Sequence, residues 1–204
     1  MSFIVKAPIK FDPPLWAEYE ERHKVAALTP LFNKAADVNR FQARYRLARA
    51  FRGLLLEGYS DTTKAGYDAL TKVSLYWSAF EQMMYALHIP DPRYFLGTYK
   101  FVLNLKKIED IDSERRFFGF VKDKIDRKDL KSKLKTYIDS GSGNVFLLAK
   151  CVRHIYLHGH LTANVRGLSP QDIASICDFL CEALLKVMDA EFEARVLDLK
   201  KVYE

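Results

Sequence analysis

"SDTTKAGYDALTKVSLYWSAFEQMMYALH", residues 60 to 88, sets Leu70, Val73, Trp77, Phe80, Met84 and Leu87 at steps of three and four. That spacing draws one apolar stripe along an α-helix, and Ser60-Asp61 is a capping start for it. "HIPDP", 88 to 92, then forces a turn, because two nearby prolines exclude continued helix. Working back toward the N-terminus, a short lead with Pro8, Pro13 and Pro14 precedes a helix over 15 to 28. Thr29-Pro30 offers an N-cap and first-turn proline for a second helix from Leu31 to Leu56, ending at Gly58. Forward of the prolines, shorter helical pieces are predicted at 93 to 107, 113 to 125 and 127 to 138. The loop "DSGSGN", 139 to 144, ends in candidate N-caps Ser142 and Asn144 for a helix over 145 to 158, stopped by Gly159. Ser169-Pro170 opens a last helix to about Leu199, with Ile173, Ile176, Leu180, Leu184, Val187 and Leu197 on one side. No stretch alternates as a strand does, so the fold class expected is all-α.

The 204 residues, 49% hydrophobic, suffice for one core. No apolar run approaches the roughly 18 residues of a membrane span, and the first ten residues lack a leader's apolar region. Three cysteines give no disulfide framework, so a reducing cytoplasm is the expected compartment. The net charge of +6 is unevenly placed: residues 100 to 135 hold 12 Lys or Arg against 7 Asp or Glu, whereas 170 to 204 hold 4 against 8. Clustered cations attract polyanions. An ordinary solvated helix pair has the same look, since "VKDKIDRKDLKSKLK" interleaves the two signs.

"CVRHIYLHGHLTAN", 151 to 164, holds three of the five histidines. At about 100° per residue, Val145, Leu148, Val152, Ile155 and Tyr156 fall within one core-facing arc. Arg153 and His158 lie on opposite flanks of the other face, about 140° apart, with His154 between them. Phe146, Leu147 and Leu157 on that outer face imply a second packing partner, either another helix of this chain or the same helix of a second subunit. Three readings of the cluster follow. A metal site starts from His154, His158 and Cys151, but it lacks further matching ligands, and residue 155 is isoleucine where the metalloprotease motif needs glutamate. A purely structural role is served by His158 and His160 near the negative end of the helix dipole. A nucleolytic site would use Arg153 and His158.

"RHIYLHGH", 153 to 160, resembles the signature of the HEPN superfamily (higher eukaryotes and prokaryotes nucleotide-binding domains): an arginine, four to six residues, then a histidine, near the end of a penultimate core helix. Gly159 follows the histidine, as is frequent there. A long helix with the stretch "LYWSAFEQMM", 75 to 84, precedes the motif and one long helix follows it. The resemblance implies a helical bundle of that type over 59 to 204, with 1 to 58 as an N-terminal helical extension. It further implies a homodimer through the motif helix, with a composite site that cleaves RNA by 2′-hydroxyl attack without metal or other cofactor. Arg153 would bind the phosphate and His158 would move the proton, with His154 and His160 auxiliary. His154 stands where many members have asparagine, and His160 where members governed by a nucleotidyltransferase carry tyrosine. The partners implied are RNA and an antitoxin or regulatory protein, in a toxin-antitoxin, stress or anti-phage setting. The alternative is a non-catalytic module that binds RNA, a nucleotide or a partner protein.

Overall fold

The computed structural model describes residues 11 to 26 and 29 to 203. Pro8, the side chain of Val25, and residues 27 and 28 lie outside them. The elements are α1 (Trp16–Ala26), α2 (Ala35–Ala50), α3 (Asp61–Ala86), α4 (Tyr94–Thr98), a 3₁₀ turn (Lys100–Leu103), α5 (Lys106–Ile111), α6 (Arg116–Lys124), α7 (Lys128–Ser140), α8 (Val145–Leu157) and α9 (Pro170–Tyr203). There is no strand among the described residues, so the chain is an all-α helical bundle. No helix among them is long and apolar enough to cross a membrane.

α3 is the axis of the bundle. Its stripe is buried at Leu70, Val73, Trp77, Phe80 and Leu87, each at most 1% exposed, against α2, α8 and α9, whereas Met84 is half-buried and its neighbour Met83 takes the core position. Ser60 caps it by accepting from the backbone N–H of Thr63. Two aromatic groups fill the core. In one, Phe192 of α9 contacts Trp16 and Tyr19 of α1, Phe32 of the following turn and Phe41 of α2. In the other, Phe80 stacks on Phe146 of α8 at 5.0 Å between ring centres, and both meet Phe95 of α4.

α2 is shorter at both ends than the 31 to 56 the apolar spacing predicts. At its start, Phe32 is drawn into the first aromatic group, and the Asn33 N–H donates to the carbonyl of Ala86 at 2.7 Å. Residues 31 to 33 are thereby held against the end of α3 instead of forming a helical turn. The Thr29 hydroxyl accepts from the Leu31 N–H within that turn, not at a helix start. At its end, Asp68 of α3 accepts from the Leu54 N–H at 2.7 Å, and Gly53 has φ +123°. A Cβ at Gly53 would meet the Asp68 carboxylate at 2.8 Å, so the chain leaves the helix to run past α3. The segment 93 to 107 is likewise broken, into α4, the 3₁₀ turn and the start of α5. Asp112, buried at 4% exposure, accepts from the N–H groups of Arg116 and Phe117 and so fixes the start of α6.

Candidate functional site

The site is built on α8, whose two ends are fixed by local chemistry. At the start, the Asn144 side chain accepts from the Leu147 N–H at 2.9 Å. At the finish, Gly159 adopts φ +74°, its N–H donates to the Tyr156 carbonyl, and the His160 N–H donates to that of Ile155. This pair of bonds closes a helix on a left-handed residue and leaves His158 as the C-cap. Val145, Leu148, Val152 and Ile155 are fully buried, as the angular count requires. Tyr156 is half-buried and shares a 2.7 Å hydrogen bond with Thr71 of α3.

The structure brings two of the four site residues together. The His154 and His158 rings meet edge to face, 4.5 Å between centres. His154 Nε2 lies 2.9 Å from Asp126 Oδ1, in the turn between α6 and α7. The hydrogen bond to His154 holds the Asp126 carboxyl below its ordinary range, so the group is an anion that can only accept. The Nε2 proton therefore sits between the two, and Nδ1 is the His154 nitrogen left for other chemistry. The His154 side chain is 12% exposed and Asp126 81%, so the ring is fixed from the solvent side.

Arg153 is half-buried. Its Nε is sealed from solvent without an acceptor, and it forms no hydrogen bond or ion pair among the described residues. Its charge is thus uncompensated by any carboxylate there. His160 is exposed and takes part only through its backbone in closing the helix.

Of the two partners expected for the outer face, Phe146 finds one within this chain. It is 3% exposed, covered by Phe80 and Phe95 of the same chain, so it offers nothing to a second copy. Leu147 is half-buried, and Leu157 alone of the three stands out, at 57%. Cys151 is fully buried, which pushes its thiol up to about 12. Among the described residues, no group of three or more His, Cys, Asp or Glu is gathered to hold a metal ion.

Asp126 is the residue that sequence reasoning missed. It lies 28 positions from His154, inside an alternating run of charges, and nothing in its spacing marks it. Much of that run pairs locally: Arg115 with Glu109, Arg116 with Glu114, Lys122 with Asp123, and Arg127 with Asp129. Such neighbouring pairs blunt a long-range field. Comparison with family models, curated proteins and solved structures finds no match to this chain.

Proposed function

We propose that this chain is a HEPN-like endoribonuclease that cleaves RNA by attack of a 2′-hydroxyl on the adjacent phosphorus. The observation that carries the reading is the Asp126–His154–His158 chain of contacts, directly after Arg153, whose charge has no carboxylate partner among the described residues. In the reaction, one imidazole takes the 2′-hydroxyl proton as O2′ bonds to phosphorus. The bond to O5′ breaks as that oxygen receives a proton from an imidazolium. The products are a 2′,3′-cyclic phosphate and a 5′-hydroxyl. Arg153 binds the non-bridging oxygens, on which charge builds in the transition state. Asp126, an anion that accepts from Nε2, positions the His154 ring. His158 is the exposed partner that reaches substrate.

A second copy of the chain, apposed at the open end of α8 near Leu157, would bring two such sets into one cleft. The toxin-antitoxin, stress or anti-phage setting, with an antitoxin or regulatory partner, rests on the resemblance alone, as does a cytoplasmic location. One observation favours the second reading, a non-catalytic module that binds RNA, nucleotide or protein. The sealed Nε of Arg153 withdraws part of the guanidinium from any substrate.

Cleavage of a labelled RNA in EDTA separates the two. Arg153→Ala and His158→Ala are each expected to slow cleavage by about 10²-fold or more while the oligomeric state is unchanged. A DNA of the same sequence is expected to stay intact. Cleavage that persists in both variants overturns the assignment. RNA binding without cleavage in the wild-type chain, weakened by Arg153→Ala, selects the second reading.

A further inference from the structure

A surface pocket of about 440 Å³ opens at the N-terminal end of α8, between α3, α4 and α7, and is lined in part by Gly143 and Asn144. Its apolar lining is Leu96, Leu103 and Leu147 over the buried Trp77 and Leu130, and Thr136, Ser142 and Asn144 add polar surface. That volume falls in the range of small-molecule sites, roughly 300 to 1,000 Å³.

The charges around it do not cancel. Asp91 receives Arg93 at 3.0 Å, and that hydrogen bond lowers its pKa from the ordinary value. Asp129 receives Arg127 at 2.8 Å. Each of the two carboxylates on the rim is therefore matched by an arginine. Lys133 and Lys150 also line the pocket, and neither has an ion-pair partner among the described residues. The start of α8, at the same rim, adds the partial positive charge of a helix N-terminus.

The wall contains a further unmet group. Trp77 is 1% exposed, and its indole N–H has no acceptor among the described residues.

We propose that this pocket binds a small amphipathic anion, with its apolar body against Leu96, Leu103 and Leu147 above the buried Trp77, and its single acidic head at Lys133 and Lys150. The ligand class is a carboxylate on a compact hydrocarbon chain or ring. A polyanion such as RNA fits less well, because the walls bear no run of cations for a backbone to follow. The pocket lies at the opposite end of α8 from His154 and His158, so the proposal stands apart from the ribonuclease reading.

Calorimetric titration of the full chain with decanoate, decanol and decyltrimethylammonium tests it. Saturable 1:1 binding of decanoate is expected, at least tenfold tighter than decanol, with no binding of the cation. The double variant Lys133→Glu/Lys150→Glu, at positions that contribute nothing to the core, is expected to lose decanoate binding tenfold or more while keeping its circular dichroism and melting temperature. Quenching of Trp77 fluorescence by a brominated carboxylate, in a Trp16→Phe background, places the body of the ligand. Equal affinity for decanoate and decanol, an unchanged double variant, or no saturable binding overturns the proposal.

Discussion

Gly66 sits inside α3, where alanine is ordinarily the better residue by about 1 kcal/mol. Here a Cβ would meet the Ala163 Cβ at 2.7 Å and that of Pro170 at 3.3 Å. Ala163 is fully buried and Pro170 opens α9, so neither can swing aside as a long side chain would. Gly66→Ala is therefore expected to destabilise the fold by about 1–3 kcal/mol, as overpacked cores do, measured by urea unfolding. A gain in stability would show that the segment between α8 and α9 is free to lift from α3. The same close contact tethers the chain just beyond His160, so it helps hold the end of α8 against the bundle. At this scale the candidate site was only partly legible. Arg153, His154 and His158 declare themselves by residue type and helical angle, because both are local properties. Asp126 does not, because its pairing with His154 is made by the docking of the α6–α7 turn on α8.

Where the caps are local, the elements were legible. Ser60 at α3, Asn144 at α8, Gly159 after it and Ser169 at α9 all serve as their sequence contexts require. α2 was not, since Leu31 to Asn33 and Leu54 to Leu56 continue an apolar pattern that tertiary contacts then claim through Ala86 and Asp68. Phe146 was half legible, since its outer-face position called for a second partner but did not say which. Its angle on α8 points away from the main stripe, but α4 folds back after the prolines and brings Phe95 over it. The caps of α8 make a direct comparison. Asn144→Ala removes the acceptor for Leu147 and is expected to cost about 1 kcal/mol. Gly159→Ala meets nothing within 4 Å, so its cost, about 1–2 kcal/mol, comes from the left-handed backbone alone. Thermal unfolding of both checks this, and Gly159→Ala should in addition disturb His158, which it follows. Asn144→Ala, at the other end, should leave His158 unmoved in the NMR spectrum.

α9 is 34 residues and about 50 Å long, and it packs on α1, α3, α5 and α8. It is also the acidic element of a basic chain, and two of its carboxylates, Asp189 and the buried Glu191, are drawn into the packing. The Tyr45 hydroxyl of α2 donates to Asp189 at 2.6 Å. Burial raises the Asp189 pKa above its ordinary value of 3.8, outweighing the opposing pull of the Tyr45 hydrogen bond and of Arg49. The folded state therefore disfavours the ionised carboxyl relative to the unfolded chain. Below the ordinary value both states hold the proton and no penalty arises. As pH rises from there through the raised folded value, stability is lost, and the loss persists at neutral pH. Asparagine keeps an acceptor for Tyr45 and carries no charge at any pH. Asp189→Asn is thus expected to match the wild type near pH 3, to gain on it in melting temperature as pH rises through the raised folded value, and to keep that gain at pH 7. A gap that shrinks with rising pH would mean that Arg49 and Tyr45 favour the anion more than burial opposes it, and that the joint between α2 and α9 is held by charge.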